Sequence, residues 1–372
     1  MNWIFQQPVR VCFGVGTLKQ LPQAIRSLGG TRGVLITSRS FVARGFADRI
    51  QQQSEGLIVE VYGDVSPNPD VKECDACAAL MRKERIDFVV ALGGGSVMDC
   101  AKAAATVCLT DVSVARFLGT GLALPKNHLP LIAVPTTAGT GSEITCVSVL
   151  SDHERGIKSP MNSDGFYPVL ALVDPELTYT VPPYLTACTG MDVLCHAVEA
   201  YWSRFHQPVC DALAVHAARL VFQYLPLAYM NGRDELAREK MCEASVIAGM
   251  AFTHPKTTSA HACSYPLTNL LGIPHGEACA LTIDHFIRLN AECGCRRVDD
   301  LARLLGYADA SALADVVAGL KSTLHLRTDL RDFRLPEERV EQLVQGSKHP
   351  NLLNNPIEIT ETMLRQLYAE LC

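Results

Sequence analysis

Four short apolar runs punctuate the first half of the chain, at residues 34–37, 57–61, 88–92 and 131–134. They are only four or five residues long and almost uninterrupted by polar positions, which is the pattern of strands buried on both faces. Between them, apolar positions recur at helical spacing, as over 75–85 and 99–109. Strands alternating with helices predict a parallel sheet covered on both sides, a construction that binds ligands beyond the carboxyl ends of its strands. The pattern changes after Val173-Asp-Pro175 and Val181-Pro-Pro183. Strand signals fade, and residues 186–202, 210–225, 236–250 and 311–324 read as helices. The expected fold class is α/β plus all-α, with residues 1–181 as the sheet domain and residues 182–372 as an all-helical domain.

Composition narrows the classes. Of 372 residues, 48% are hydrophobic and 19% charged, with a net charge of −6. That supports a sizeable core and excludes a disordered chain. An acidic chain without a basic stripe also argues against a nucleic-acid partner. No apolar run approaches the roughly 18–20 residues that span a bilayer. The first eleven residues carry glutamines and a proline where a secretory leader needs an apolar stretch. The expectation is a cytoplasmic protein with no membrane partner. Fifteen cysteines, an odd number, sit mostly in apolar helical patterns (Cys100, Cys108, Cys195, Cys210, Cys242) and read as buried free thiols. Cys74-Asp-Ala-Cys77 has the spacing of a redox or zinc pair, but no second pair accompanies it and the stretch reads as core helix.

Two loops carry candidate phosphate chemistry. The run at 88–92 leads into Gly93-Gly-Gly95-Ser96 and then a helix. Glycines let backbone approach a phosphate, and the helix start offers unpaired N–H groups. Pro135-Thr-Thr-Ala-Gly-Thr-Gly-Ser-Glu143 follows another buried run and packs four hydroxyls and two glycines into nine residues. Gly14-Val-Gly16 reads as a turn between a first strand and a helix over 17–27. In the second half, Asp192 and His196 stand four apart on a helix and project from one face, forming half of a divalent-metal site. His261 and His275 lie downstream as candidates for the rest, with His254 and His285 as competitors. One carboxylate and three imidazoles would suit Fe²⁺ or Zn²⁺ and leave a position open.

Taken in order, these motifs resemble the iron-containing alcohol dehydrogenases (group III). The resemblance joins Phe13-Gly-Val-Gly16, the run from Gly93 to Lys102, the loop from Pro135 to Glu143, Val173-Asp-Pro175, Gly190-Met-Asp192, His196-Ala-Val-Glu199 and Pro274-His-Gly276. It implies a Rossmann-like NAD(P)-binding domain, a helical metal-binding domain and a cleft between them. It implies Fe²⁺, with Zn²⁺ as the alternative, on Asp192, His196, His261 and His275. It further implies coenzyme contacts from Gly94, Gly95, Ser96, Asp99, Thr136, Thr137 and Thr140, with Asn68, Ser142 and Lys158 lining the same pocket. A homodimer is the family expectation.

The sequence departs from the family twice. Many members carry a second histidine four residues after the third ligand; here the position is Tyr265, which becomes the candidate proton donor. NAD-preferring members usually carry an aspartate where Ser38 stands, followed here by Arg39. Without that carboxylate a 2′-phosphate is not repelled, so NADPH is expected to be accepted beside NADH. Lys256-Thr-Thr, shortly before His261, together with Arg155 and Lys158, could receive an anionic head group. The run from Lys256 through His261 to Ser264-Tyr-Pro-Leu267 also resembles the phosphonate-associated branch of the family, which reduces phosphonoacetaldehyde to 2-hydroxyethylphosphonate. The expected substrate is therefore a small anionic aldehyde. The alternatives are a short aliphatic aldehyde or alcohol of the propanol or lactaldehyde type, and, from another class, a sugar-phosphate cyclase resembling dehydroquinate synthase. Asp192 followed four residues later by His196 favours the dehydrogenase.

Overall fold

A computed structural model describes residues 2–372. Two compact units emerge. One comprises Gln6–Thr137 and Ser142–Thr178; the other contains Ala138–Gly141 and Tyr179–Cys372 together with the N-terminal residues up to Phe5.

The first unit is an α/β layer structure. Its strands are β1 (Arg10–Phe13), β2 (Gly33–Ile36), β3 (Ile58–Tyr62), β4 (Phe88–Gly93), β5 (Leu131–Pro135), β6 (Val147–Asp152), β7 (Ile157–Asn162) and β8 (Leu170–Val173). Six form one parallel sheet in the order β1-β8-β5-β4-β2-β3. The helices are α1 (Leu21–Ser27), α2 (Arg39–Ala43), α3 (Phe46–Gln53), α4 (Val71–Glu84) and α5 (Gly95–Val107). Strand side chains alternate between two cores. Val34, Ile36, Val89, Ala91, Leu131 and Ala133 meet α4 and α5 on one face. Leu35, Val90, Leu92, Ile132 and Val134 meet α1 and α3 on the other. This two-sided burial is why the runs are apolar without interruption. The chain leaves β2 toward β3 and leaves β4 toward β5, in opposite directions along the sheet. The carboxyl ends of the adjacent β2 and β4 therefore flank a topological switch point, the place where such sheets hold ligands.

The antiparallel β6–β7 hairpin is absent from the sequence reading. So is β8, whose four residues Leu170-Ala-Leu-Val173 lie fully buried beside β5 and β1. Cys74 and Cys77 lie buried on α4 with free thiols, as the core reading expected. All fifteen cysteines are free.

The second unit holds α6 (Pro183–Trp202), α7 (Pro208–Met230), α8 (Glu235–Phe252), α9 (Ser259–Leu271), α10 (His275–Glu292), α11 (Arg296–Leu304), α12 (Ala310–Thr323), α13 (Glu337–Gly346) and α14 (Glu361–Leu371). Every residue of α6 from Gly190 to Trp202 is buried. A helix apolar nearly all round belongs at the centre of a bundle, and α6 packs with α7, α8 and α10 in one continuous core. Its polar exceptions, Asp192, His196 and Glu199, recur at intervals of four and three and so share one stripe. The segment Ala138–Gly141 is tied to this bundle. Gly139 N–H donates to Ser245 Oγ at 2.9 Å, and a Cβ on Gly141 would stand 2.8 Å from the Gly249 backbone. Among the described residues, no helix is long and apolar enough to cross a membrane.

Candidate active site

The expected coenzyme residues of the α/β unit gather at the carboxyl edge of its sheet. β4 ends at Gly93, and α5 starts after Gly94, with no side chain capping its N-terminus. The first N–H groups of α5 thus face outward beside bare backbone, a built anion cradle. A Cβ on Gly94 would sit 3.1 Å from Thr137 Oγ1, so glycine there keeps the cradle open against the end of β5. Thr136 N–H donates to the Gly93 carbonyl at 3.0 Å, locking the two strand ends together. Asn68, in the left-handed region at φ 55°, donates its N–H to Ser96 Oγ and accepts from Lys158 Nζ at 2.9 Å. Asn68, Gly94, Gly95, Ser96, Thr136, Thr137 and Lys158 therefore form one rim.

Asp99 and Ser142 lie behind this rim. Ser142 Oγ donates to Asp99 at 2.7 Å and receives a hydrogen bond from the buried Lys102 ammonium at 2.8 Å. Burial pushes Lys102 down to about 8 and the neighbouring Glu143 up to about 7. Burial also raises the Asp99 carboxyl, opposed by Lys102 and by the bonds from Ser142 and Val149. These groups brace the rim from below. Thr140 belongs to the segment that packs with the helical unit. Ser38 follows β2, and Arg39 reaches across to Asp64 beyond β3, with Nε 2.9 Å from the carboxylate. Arg155 is bound to Asp152 and to the carbonyls of Ala115 and Leu118, a structural employment that removes it from the candidates for an anionic head group.

In the helical unit, Asp192, His196, His261 and His275 converge. Asp192 Oδ1 lies 3.5 Å from His261 Nε2, 3.8 Å from His275 Nε2 and 4.0 Å from His196 Nε2. Asp192 and His261 are 2% and 3% exposed, and neither Asp192 Oδ1 nor His261 Nε2 makes a hydrogen bond. Buried polar atoms without partners are rare and costly, so their convergence marks a place built for a cation. Electrostatics agrees. Burial raises the Asp192 carboxyl, but His196, His275 and His261 outweigh it and hold it well below the usual carboxylate range. Burial lowers His261, but Cys279, Glu199 and Asp192 hold it well above an ordinary imidazole, so the pocket attracts positive charge. His196, pushed down to about 4 by burial, keeps an unprotonated nitrogen for a ligand role. The donor set of oxygen and imidazole nitrogen fits Fe²⁺ or Zn²⁺.

The surroundings orient these donors. Glu199, fully buried, pairs with His261 Nδ1, which leaves Nε2 to face the other donors. Its second oxygen accepts from the N–H of Thr258 and Ala260 and from Thr258 Oγ1, closing the N-terminus of α9. Ser264 Oγ lies 3.2 Å from His275 Nδ1. His275 opens α10, and Gly276 follows because a Cβ there would stand 2.0 Å from the Cys188 carbonyl of α6. Cys279, one turn along α10, brings its sulfur into the set: one donor atom each from Asp192, His261, His275 and Cys279 lie within 4.8 Å of one another. Neither Glu199 nor Cys279 was singled out in the sequence as a site residue. Both had a signal, since Glu199 continues the stripe of Asp192 and His196, and Cys279 stands four residues after His275.

The competing histidines are occupied elsewhere. His285 faces Glu370 at 3.5 Å, and His254 lies against Phe5. Tyr265 sits one turn after His261, its ring 4.5 Å from His349 and 6.4 Å from His275. Burial pushes its hydroxyl up to about 12, so it holds its proton more firmly than a free tyrosine. Lys256 is half-buried and left-handed at φ 64°, a conformation costing about 1 kcal/mol or more for a residue with a Cβ. Asn351 and Asn354 grip the adjoining Thr257 through its hydroxyl and its carbonyl, both at 2.9 Å.

Comparison with known proteins matches this arrangement. Residues 8–175 match the iron-containing alcohol dehydrogenase family, and residues 186–372 match the C-terminal part of the Fe-containing alcohol dehydrogenase family. The structure of a sulfoacetaldehyde reductase from Bifidobacterium kashiwanohense, in complex with NAD⁺, superimposes with a TM-score of 0.97 and 55% identity, covering 100% of this chain and 99% of that one. Long-chain-alcohol dehydrogenase 1 of Geobacillus thermodenitrificans is 36% identical over 95% of this chain and 93% of its own length. An NADPH-dependent butanol dehydrogenase of Clostridium saccharobutylicum is 31% identical over 91% and 89%. Both halves of the molecule, matched in order along nearly the full length, place this chain in the iron-containing alcohol dehydrogenase family, as an oxidoreductase acting on alcohols and aldehydes.

Proposed function

We propose that this enzyme reduces a two-carbon aldehyde bearing an anionic head group, sulfoacetaldehyde ahead of phosphonoacetaldehyde, with NADH or NADPH as hydride donor. The observation that carries the reading is Lys256. A cation is held in a strained backbone conformation five residues before His261, in a loop pinned by Asn351 and Asn354. Strain of this kind persists where the surrounding structure enforces it, and it gathers at ligand-binding positions. The 55% identity to a sulfoacetaldehyde reductase along the whole chain supports the same substrate class.

In this reading Asp192, His196, His261 and His275 hold the metal, Fe²⁺ or Zn²⁺. When bound there, the cation supplies Lewis-acid polarisation of the carbonyl oxygen. Glu199 fixes the His261 tautomer. Lys256 receives the sulfonate or phosphonate and so sets which carbon is presented. The rim of Asn68, Ser96, Thr137 and Lys158 at the start of α5 binds the coenzyme pyrophosphate. A reduced nicotinamide coenzyme held there would supply the hydride for the carbonyl carbon, with a solvent proton completing the hydroxyl to give the 2-hydroxyethyl sulfonate and the oxidised coenzyme. The Tyr265 hydroxyl keeps its proton at neutral pH and serves as a hydrogen-bond donor. Ser38 removes the carboxylate that would repel a 2′-phosphate, while Asp64 partly neutralises Arg39, so both coenzymes are accepted.

The test is an anaerobic assay of iron-loaded enzyme crossing NADH and NADPH with sulfoacetaldehyde, phosphonoacetaldehyde, propanal and lactaldehyde. The anionic aldehydes should be preferred. In Lys256→Ala, KM for sulfoacetaldehyde should rise about 10–100-fold, the usual worth of a bond to a charged group, with KM for propanal unchanged. Equal effects on both would leave a plain short-chain alcohol dehydrogenase.

A further inference from the structure

The imidazole–carboxylate set accounts for four donors, and the space they face has a fifth neighbour. Cys279 is fully buried, and its sulfur lies 3.9 Å from His275 Nε2. It also belongs with Asp192 and His261 to a group whose donor atoms all lie within 4.8 Å of one another. Two donors on one zinc-sized cation, a sulfur at about 2.3 Å and a nitrogen at about 2.0 Å, stand roughly 3.6 Å apart at a tetrahedral angle. The observed spacing is slightly wider than that, a gap that small side-chain rotations close. The backbone favours the approach. Cys279 is one helical turn from His275 on α10, so both project from the same face. Gly276, between them, lets that face lie against α6, which carries Asp192 and His196. Among the described residues, Cys279 is the cysteine whose sulfur falls within this group of donors.

We propose that Cys279 is a metal-facing thiol that binds the cation together with Asp192, His261 and His275, and that it sets which metal the enzyme retains. The proposal rests on the reading of this site as a divalent-metal centre. On binding, the sulfur gives its proton to solvent and its lone pair to the cation, with no change in oxidation state. A thiolate is a soft donor and favours zinc and cobalt, whereas carboxylate and imidazole alone suit ferrous iron as well. With five candidate donors around one space, the chain offers a tetrahedral set that includes sulfur. It also offers a harder set in which His196, 4.0 Å from Asp192 Oδ1, takes that place.

The experiment is optical and independent of turnover. Metal-free full-length enzyme is titrated with Co²⁺, in the wild-type, Cys279→Ala and Asp192→Ala forms, with bound cobalt counted by elemental analysis. Wild-type enzyme should take up one cobalt per chain, with visible ligand-field bands and a near-ultraviolet sulfur-to-cobalt charge-transfer band. Cys279→Ala should keep the stoichiometry and lose the charge-transfer band. Chelator competition should show its Zn²⁺ affinity falling about 10-fold or more, with Fe²⁺ affinity changed far less. Cobalt bound by wild-type enzyme without a charge-transfer band, with a spectrum matching that of Cys279→Ala, would overturn the role of Cys279 and leave the metal centre standing. Failure of wild-type enzyme to bind cobalt, zinc or iron would overturn the metal centre itself, and Cys279 with it. Circular dichroism of each variant separates loss of a ligand from loss of fold.

Discussion

A single buried carboxylate does two jobs in the helical unit. Glu199 orients His261 and closes the first turn of α9 through Thr258 and Ala260. In Glu199→Gln the amide fills the same volume but loses the charge that anchors the His261 Nδ1 proton. Metal affinity should fall about 10–100-fold, the usual cost of removing such an outer partner, as read by chelator competition, with the circular dichroism spectrum intact. The sequence made Asp192 and His196 legible because their spacing lies within one helix. Glu199 sits on the same stripe, yet its role depends on a loop 59 residues away folding back on it. Cys279 escaped notice for a similar reason. Its value depends on His275 being the first residue of a helix, and no alternating or heptad pattern announces a helix start after Pro274.

Elements meet at this site through one close approach. The Cβ that Gly276 lacks would stand 2.0 Å from the Cys188 carbonyl, which is backbone and cannot rotate away. Gly276→Ala must therefore push α10 from α6, the two helices carrying His275 and Asp192. The change should cost about 1–3 kcal/mol, seen as a Tm lower by several degrees, and should weaken metal retention more than a surface Gly→Ala such as Gly319→Ala. Among the strands, β2, β4 and β5 were readable because burial on both faces demands unbroken apolar runs, while β3, at the sheet edge and half-exposed with Glu60 in its middle, was readable from its β-branched residues. The β6–β7 hairpin was not, since Val147-Ser-Val-Leu-Ser mixes hydroxyls into the run and its partner β7 is partly or fully exposed at every position but Met161. Its turn, from Asp152 to the left-handed Gly156, was the available clue. Lys158 reaches Asn68 from β7, so a missed hairpin also concealed how that lysine joins the rim at the start of α5.

At the scale of the molecule, the change from strands to helices near Val181 was visible in the sequence, because the hydrophobic period changes there from uninterrupted short runs to helical stripes. The membership of Ala138–Gly141 in the helical unit was not visible. Those four residues sit in a loop of the sheet unit, and only the tertiary structure shows Gly139 bonded to Ser245 and Gly141 against Gly249. A fragment of residues 182–372 produced alone should therefore lack a cooperative thermal transition, whereas the full chain should show one; calorimetry decides it. The genetic consequence reaches further. Since the polypeptide enters the helical unit, leaves it and returns, a single crossover between two related genes cannot exchange one lobe whole. The coding sequence is interleaved, so the nucleotide-handling and metal-handling parts are constrained to be inherited together.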